Sequence, residues 1–114
     1  MTYDVFGLSS GHHGFHVHTW GDITSGDGSS VGGHFVGNCS AESPCRPLGV
    51  LQEVGNLFDG AGLTADVYGA VSGMRRDGVI RLGGSVDSIL GRSLIIHGSG
   101  LVNGSSTRVG EVSV

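Results

Sequence analysis

Gly14-Phe15-His16-Val17-His18 reads as a β-strand that carries two imidazoles on one face. Side chains alternate along a strand, so His16 and His18 point one way while Phe15 and Val17 point the other. Such a strand offers two nitrogen donors to one metal ion and packs a core with its back. The same spacing is common in strands that bind nothing, and a buried histidine often only satisfies hydrogen bonds. Weight comes from two further histidines in ordered contexts, Gly33-His34-Phe35 and Leu94-Ile95-Ile96-His97. Two glycines before His34 allow the backbone to approach a site closely.

Outward from this strand the chain reads as all-β. Its 114 residues include 23 glycines and 2 prolines, a composition of tight turns and short strands. That length makes one domain, residues 1–114, around a single core. Alternating or short apolar runs predict strands at Tyr3–Leu8, Leu63–Val71, Val79–Leu82, Ser93–His97 and Arg108–Val114. Gly26-Asp27-Gly28 and Arg75-Arg76-Asp77-Gly78 read as turns, and Trp20 as a core or rim aromatic. The net charge is −4 and all six cations are arginines, which argues against nucleic acid or an anionic membrane as partner. No apolar run reaches the length of a membrane span, and Met1 is not followed by a signal-peptide pattern.

Cys39 and Cys45 are the two cysteines. Joined, they would close a short loop and stabilise the fold by about 2 kcal/mol on a chain-entropy argument. The other reading is a pair of free cytosolic thiols. An oxidised pair points to an extracellular or periplasmic setting.

Several segments together resemble the copper/zinc superoxide dismutase family, in that family's order. They are Gly14–His18 with Gly21-Asp22, Gly33-His34-Phe35, Val54-Gly55-Asn56-Leu57, Gly91–His97 and Arg108. The resemblance implies a Greek-key β-sandwich or barrel that here lacks the usual N-terminal hairpin. It assigns one copper ion per chain to His16, His18, His34 and His97, and four imidazole nitrogens suit Cu(II). It gives His13 a structural hydrogen-bonding role, while His12 reads as an exposed turn residue.

In the family the residue matching His34 also bridges to zinc. Between His34 and His97 this chain has no histidine; Glu53 and Asn56 stand where a zinc histidine and the zinc aspartate are expected. An amide is a poor zinc ligand, and structural zinc wants four protein donors. The expectation is therefore copper without zinc, as in the copper-only branch. Glu53 then accepts a hydrogen bond from the second nitrogen of His34 and fixes its orientation, as zinc otherwise would.

The implied reaction is dismutation of superoxide. One superoxide reduces Cu(II) and leaves as oxygen; a second, with two protons, reoxidises Cu(I) and leaves as hydrogen peroxide. His34 would take a proton with Glu53 balancing the imidazolium, and Arg108 would guide the anion. These three, His34, Glu53 and Arg108, are the expected catalytic groups.

The segment Gly98–Thr107 is short and uncharged where the family has a charged loop, which predicts an open site. Asp27 and Glu111 replace the cysteines of the family's long-range disulfide, so hydrogen bonds must support the loop that holds Arg108. Without the N-terminal hairpin, Arg108–Val114 is an exposed edge, suited to a homodimer or a neighbouring domain. The rival reading is a copper-binding or storage module with little turnover; retention of Arg108 favours the enzyme.

Overall fold

The computed structural model describes residues 1–40, 42–47, 52–102 and 105–114. Among the described residues seven strands form: β1 (Thr2–Val5), β2 (Gly11–His13), β3 (Phe15–His18), β4 (Leu63–Ala65), β5 (Val71–Met74), β6 (Ser93–Val102) and β7 (Ser105–Ser113). Helical structure among the described residues is confined to 3₁₀ turns at Ser29–Val31 and Leu57–Gly60, so none is long and apolar enough to cross a membrane. The strands pair antiparallel as β1-β5, β2-β4 and β3-β6-β7. This is the expected all-β architecture.

The β3–β6 ladder sets the two faces of the molecule. Phe15 lies opposite Ile96 and Val17 opposite Leu94, while His16 lies opposite Ile95 and His18 opposite Ser93. Phe15 and Val17 enter a core with Phe35, Cys39, Val54, Leu57, Leu63 and Ile89, and Leu94 and Ile96 pack against it. The alternate residues face the site. Two short stretches extend this sheet without counting as full strands. Phe35 N donates to Val17 O at 2.8 Å and Gly55 N to Phe35 O at 2.8 Å. A side chain at Gly55 would meet Val17 O at 2.4 Å, so only glycine lets these three segments close up.

Several strands come out shorter than the apolar runs. Leu63–Val71 is two strands separated by a turn in which Asp66 accepts from the backbone of Tyr68 and Ala70. Tyr3–Leu8 ends early, at Val5, before Gly7 with φ +85°. Val79–Leu82 is not a strand; it contributes one isolated bridge, Arg81 to Ser88. Gly98–Thr107 is continuous with the β6–β7 hairpin through Val102 and from Ser105, while Asn103 and Gly104 lie outside the described residues. Cys39 and Cys45 are joined, with Cα atoms 5.4 Å apart.

Candidate metal centre

Strand alternation delivers the first three histidines. His16 and His18 project from one face of β3, and His97 stands beside them on β6, where its N–H donates to Gly14 O at 2.9 Å. Gly14 has to be small: a Cβ there would lie 2.9 Å from the His16 ring and 3.5 Å from His97 Cβ. His34 arrives from outside the ladder, bridged to His18 through the backbone. Its ring stacks on His16 with centroids 4.1 Å apart and meets His18 edge-on at 4.9 Å. One ligand atom from each of His16, His18, His34 and His97 lies within 4.8 Å of the others.

The hydrogen bonds leave nitrogen lone pairs turned inward. His18 Nδ1–H donates to Gly32 O at 2.8 Å, so Nε2 faces the cluster, 3.3 Å from His97 Nε2. His34 Nδ1–H donates to Glu53 Oε2 at 2.7 Å. His16 Nδ1 is buried with no hydrogen-bond partner among the described residues. A buried ring nitrogen without a partner, as at His16 Nδ1, is unfavourable unless a cation sits beside it. The donor set therefore fits copper, with His16, His18, His34 and His97 as the residues that would hold it.

Burial and mutual repulsion keep His16 and His18 neutral. Burial lowers His16 to about 3, helped by repulsion from His34, His97 and His18. Burial also lowers His18 to about 4 against the raising effect of its bond to Gly32, with His34, Arg108 and His97 adding to the depression. Neutral imidazole is the ligand form.

Arg108, on β7, reaches the same place through a shared acceptor. Its guanidinium donates to Gly32 O at 2.8 Å and to Gly28 O, so the Gly32 carbonyl receives both His18 and Arg108. Gly32 adopts φ +73°, and the Trp20 indole lies over it, 3.0 Å from where a Cβ would be. Trp20 is 61% exposed, a rim residue and not a core one. Of the Gly32-Gly33 pair, only Gly32 meets a close neighbour; nothing lies within 4 Å of a Cβ at Gly33.

The loop that carries Gly28 and Gly32 is held by side chain–backbone bonds. Asp22 accepts from Thr24 N at 3.0 Å and Asp27 from Ser29 N at 2.8 Å. The Ser29 N–H and nearby hydroxyls hold the Asp27 carboxyl at about 2. Glu111 sits on β7 opposite Ile95.

The remaining histidines are elsewhere. His13 is buried, with Nδ1 2.7 Å from His97 O and Nε2 2.8 Å from Ser9 O. His12 is exposed and reaches Ala61 O at 3.1 Å. Asn56 is buried and outside the histidine cluster.

Residues 1–108 match the family model described as copper/zinc superoxide dismutase. The chain belongs to the copper/zinc superoxide dismutase family. It is 35% identical over 99 residues to a Cu-Zn superoxide dismutase of Yarrowia lipolytica, covering 86% of this chain and 60% of that protein. It is 38% identical over 95 residues to an extracellular Cu-Zn superoxide dismutase of Brugia pahangi, covering 82% of this chain and 44% of that one. A crystal structure of a double mutant of a SOD-like protein from Bacillus subtilis shares the fold, with a TM-score of 0.72 over 94% of this chain and 74% of that chain at 24% identity. The chain thus spans 60% and 44% of the length of the two dismutases named.

The sequence reading did not anticipate Gly32 as a common anchor, nor Arg46. Arg46 is buried and donates to the Glu53 and Val54 carbonyls. Its one sequence signal is a lone cation in the otherwise uncharged stretch 43–52.

Proposed function

We propose that the chain is a copper-dependent superoxide dismutase that works without zinc. The observation that carries the activity is the Gly32 carbonyl, which fixes a guanidinium next to the histidine cluster by holding both His18 and Arg108. A copper carrier has no evident use for that cation, whereas a superoxide anion approaching a chain of net charge −4 needs a local positive field. The zinc-independent reading is supported by His34, whose Nδ1 is already committed to Glu53.

When bound, copper supplies one-electron redox chemistry at the four histidines. Arg108 draws in and orients the anion by charge and hydrogen bonding. His34 holds a proton on Nδ1 toward Glu53 and keeps Nε2 for the metal side. When Nε2 is protonated, the Glu53 carboxylate offsets the imidazolium charge, which makes His34 a proton source for peroxide. The Cys39–Cys45 bond, and the extracellular relative from Brugia pahangi, support an extracellular or periplasmic setting.

A macromolecular partner would fit at the edge of β7. β7 is an outer strand, and between it and β1 lies a groove of about 370 Å³ lined by Tyr3, Val5, Phe15, Leu94, Ile96 and Val112. Strand pairing there with a second copy or a neighbouring domain would cover both edges. A single monomeric boundary in sedimentation at rising concentration would count against the homodimer.

The deciding experiment is pulse radiolysis with one equivalent of copper and no zinc. Catalytic decay of superoxide is expected, with Arg108→Ala slowing it roughly ten- to hundredfold while copper affinity is kept. Tight copper binding without turnover would make the chain a copper-storage module, and a rate that depends on added zinc would remove the zinc-independent reading.

A further inference from the structure

We infer that Arg46 is a positioning residue for the metal centre, acting through Glu53 on His34; this rests on the reading of Glu53 given above. The Arg46 side chain is 1% exposed, a costly place for a charge unless every donor is used. Its donors are well used. Nε donates to Glu53 O at 2.9 Å and Nη2 to Val54 O at 2.6 Å. Nη1 pairs with Asp59 at 3.0 Å and with Asp77 at 3.1 Å, and Nη2 reaches Asp77 at 3.3 Å. A rigid guanidinium fork thus clamps two consecutive carbonyls on one side and two carboxylates on the other.

The clamp is anchored from three directions. Cys45, its chain neighbour, is bonded to Cys39, which is buried in the core. Asp77 is 1% exposed and also takes the N–H groups of Phe58 and Val79, at 2.8 and 2.9 Å. Phe58 and Asp59 both hold left-handed φ values, 55° and 56°, a conformation unfavourable for non-glycine residues that Arg46 and Asp77 help to hold.

What the clamp fixes is the backbone from which Glu53 reaches His34. On the far side, Val54 N donates to Val36 O and Gly55 N to Phe35 O, which ties the same segment to the stretch carrying His34. The Glu53 carboxylate then meets His34 Nδ1 at 2.7 Å. Glu53 is only partly buried and has three side-chain torsions, so without the clamp its carboxylate would have many alternatives in water.

The test is a cycle of Arg46→Lys and Glu53→Gln, read by copper affinity in chelator competition and by the Cu(II) EPR spectrum, neither of which depends on turnover. Lysine keeps the charge and loses the fork. Arg46→Lys is expected to weaken copper binding by about three- to tenfold, below the 10–100-fold typical of a partner that touches the ligand itself, and to shift the EPR parameters. In the Glu53→Gln background it should change affinity by less than about twofold. Lower thermal stability with unchanged affinity and spectrum in Arg46→Lys would overturn the proposal, as would an equal shift in both backgrounds. Glu53→Gln with native affinity would instead remove the reading of Glu53, a distinct result, and the positioning role with it. If Arg46→Lys does not fold, the paired change Arg46→Gln with Asp77→Asn removes both buried charges together and is judged by the same criteria.

Discussion

His16, His18 and His97 stand on the β3–β6 ladder, while His34 and its partner Glu53 stand on irregular chain on the far side of the cluster. On the ladder, histidine placement follows chiefly from backbone pairing and strict alternation. Off the ladder, placement depends on polar side chains: Glu53 orients His34 and Arg46 holds the backbone of Glu53. Arg108 combines both modes, since β7 supplies its backbone while two loop carbonyls set its guanidinium. The first kind of site is set mainly by the backbone ladder. The second can be detuned without touching a ligand.

The largest effect that separates the two regions comes from removing a ladder ligand. His97→Ala should weaken copper binding by more than the roughly 10–100-fold expected for a residue one hydrogen bond further out, measured by chelator competition. Binding within tenfold of native would mean that three imidazoles suffice, and the ladder would lose its privileged place in the comparison.

Glu53→Ala should act less strongly and differently. Losing the hydrogen bond to His34 is expected to lower copper affinity about 10–100-fold and to slow superoxide decay, with the β3–β6 ladder unaffected in hydrogen exchange. Unchanged affinity and turnover would show that His34 needs no outer partner, and the contrast between the two regions would collapse.

The same division explains what could be read in advance. Gly14–His18 was legible because a period of two is a local signal and one face had to be apolar. Val79–Leu82 looked similar and is not a strand. Asp77 Oδ1 takes the N–H groups of Val79 and Ile80, and Arg81 donates to the carbonyls of Gly78, Val79 and Ile80. Nearby side chains have satisfied the groups a ladder would have used. The four clustered histidines and Arg108 were legible by resemblance in chain order, and the hydrogen bond from His34 to Glu53 followed from the substitution at a zinc position. Arg46 was not legible, since its partner Asp77 lies 31 residues away and no periodic pattern marks such a contact. Gly32 was half visible: the glycine pair suggested close approach, but not that one carbonyl would accept from both His18 and Arg108.

The smallest effect concerns protons on the ladder itself. His16 and His18 titrate at about 3 and about 4 in the folded chain, against about 6.5 when unfolded. Between these values the unfolded chain binds protons that the folded chain refuses, so acid favours unfolding. Their contribution is fully present above about pH 6.5 and is lost as pH falls toward 4. Asp27, held at about 2, acts only below that window. Urea midpoints of the metal-free protein should therefore drop steadily from pH 7 to pH 5, and His16→Gln should flatten the slope. A midpoint independent of pH across this range would mean that the cluster opens to water without metal, and that the ladder alone does not keep its histidines packed.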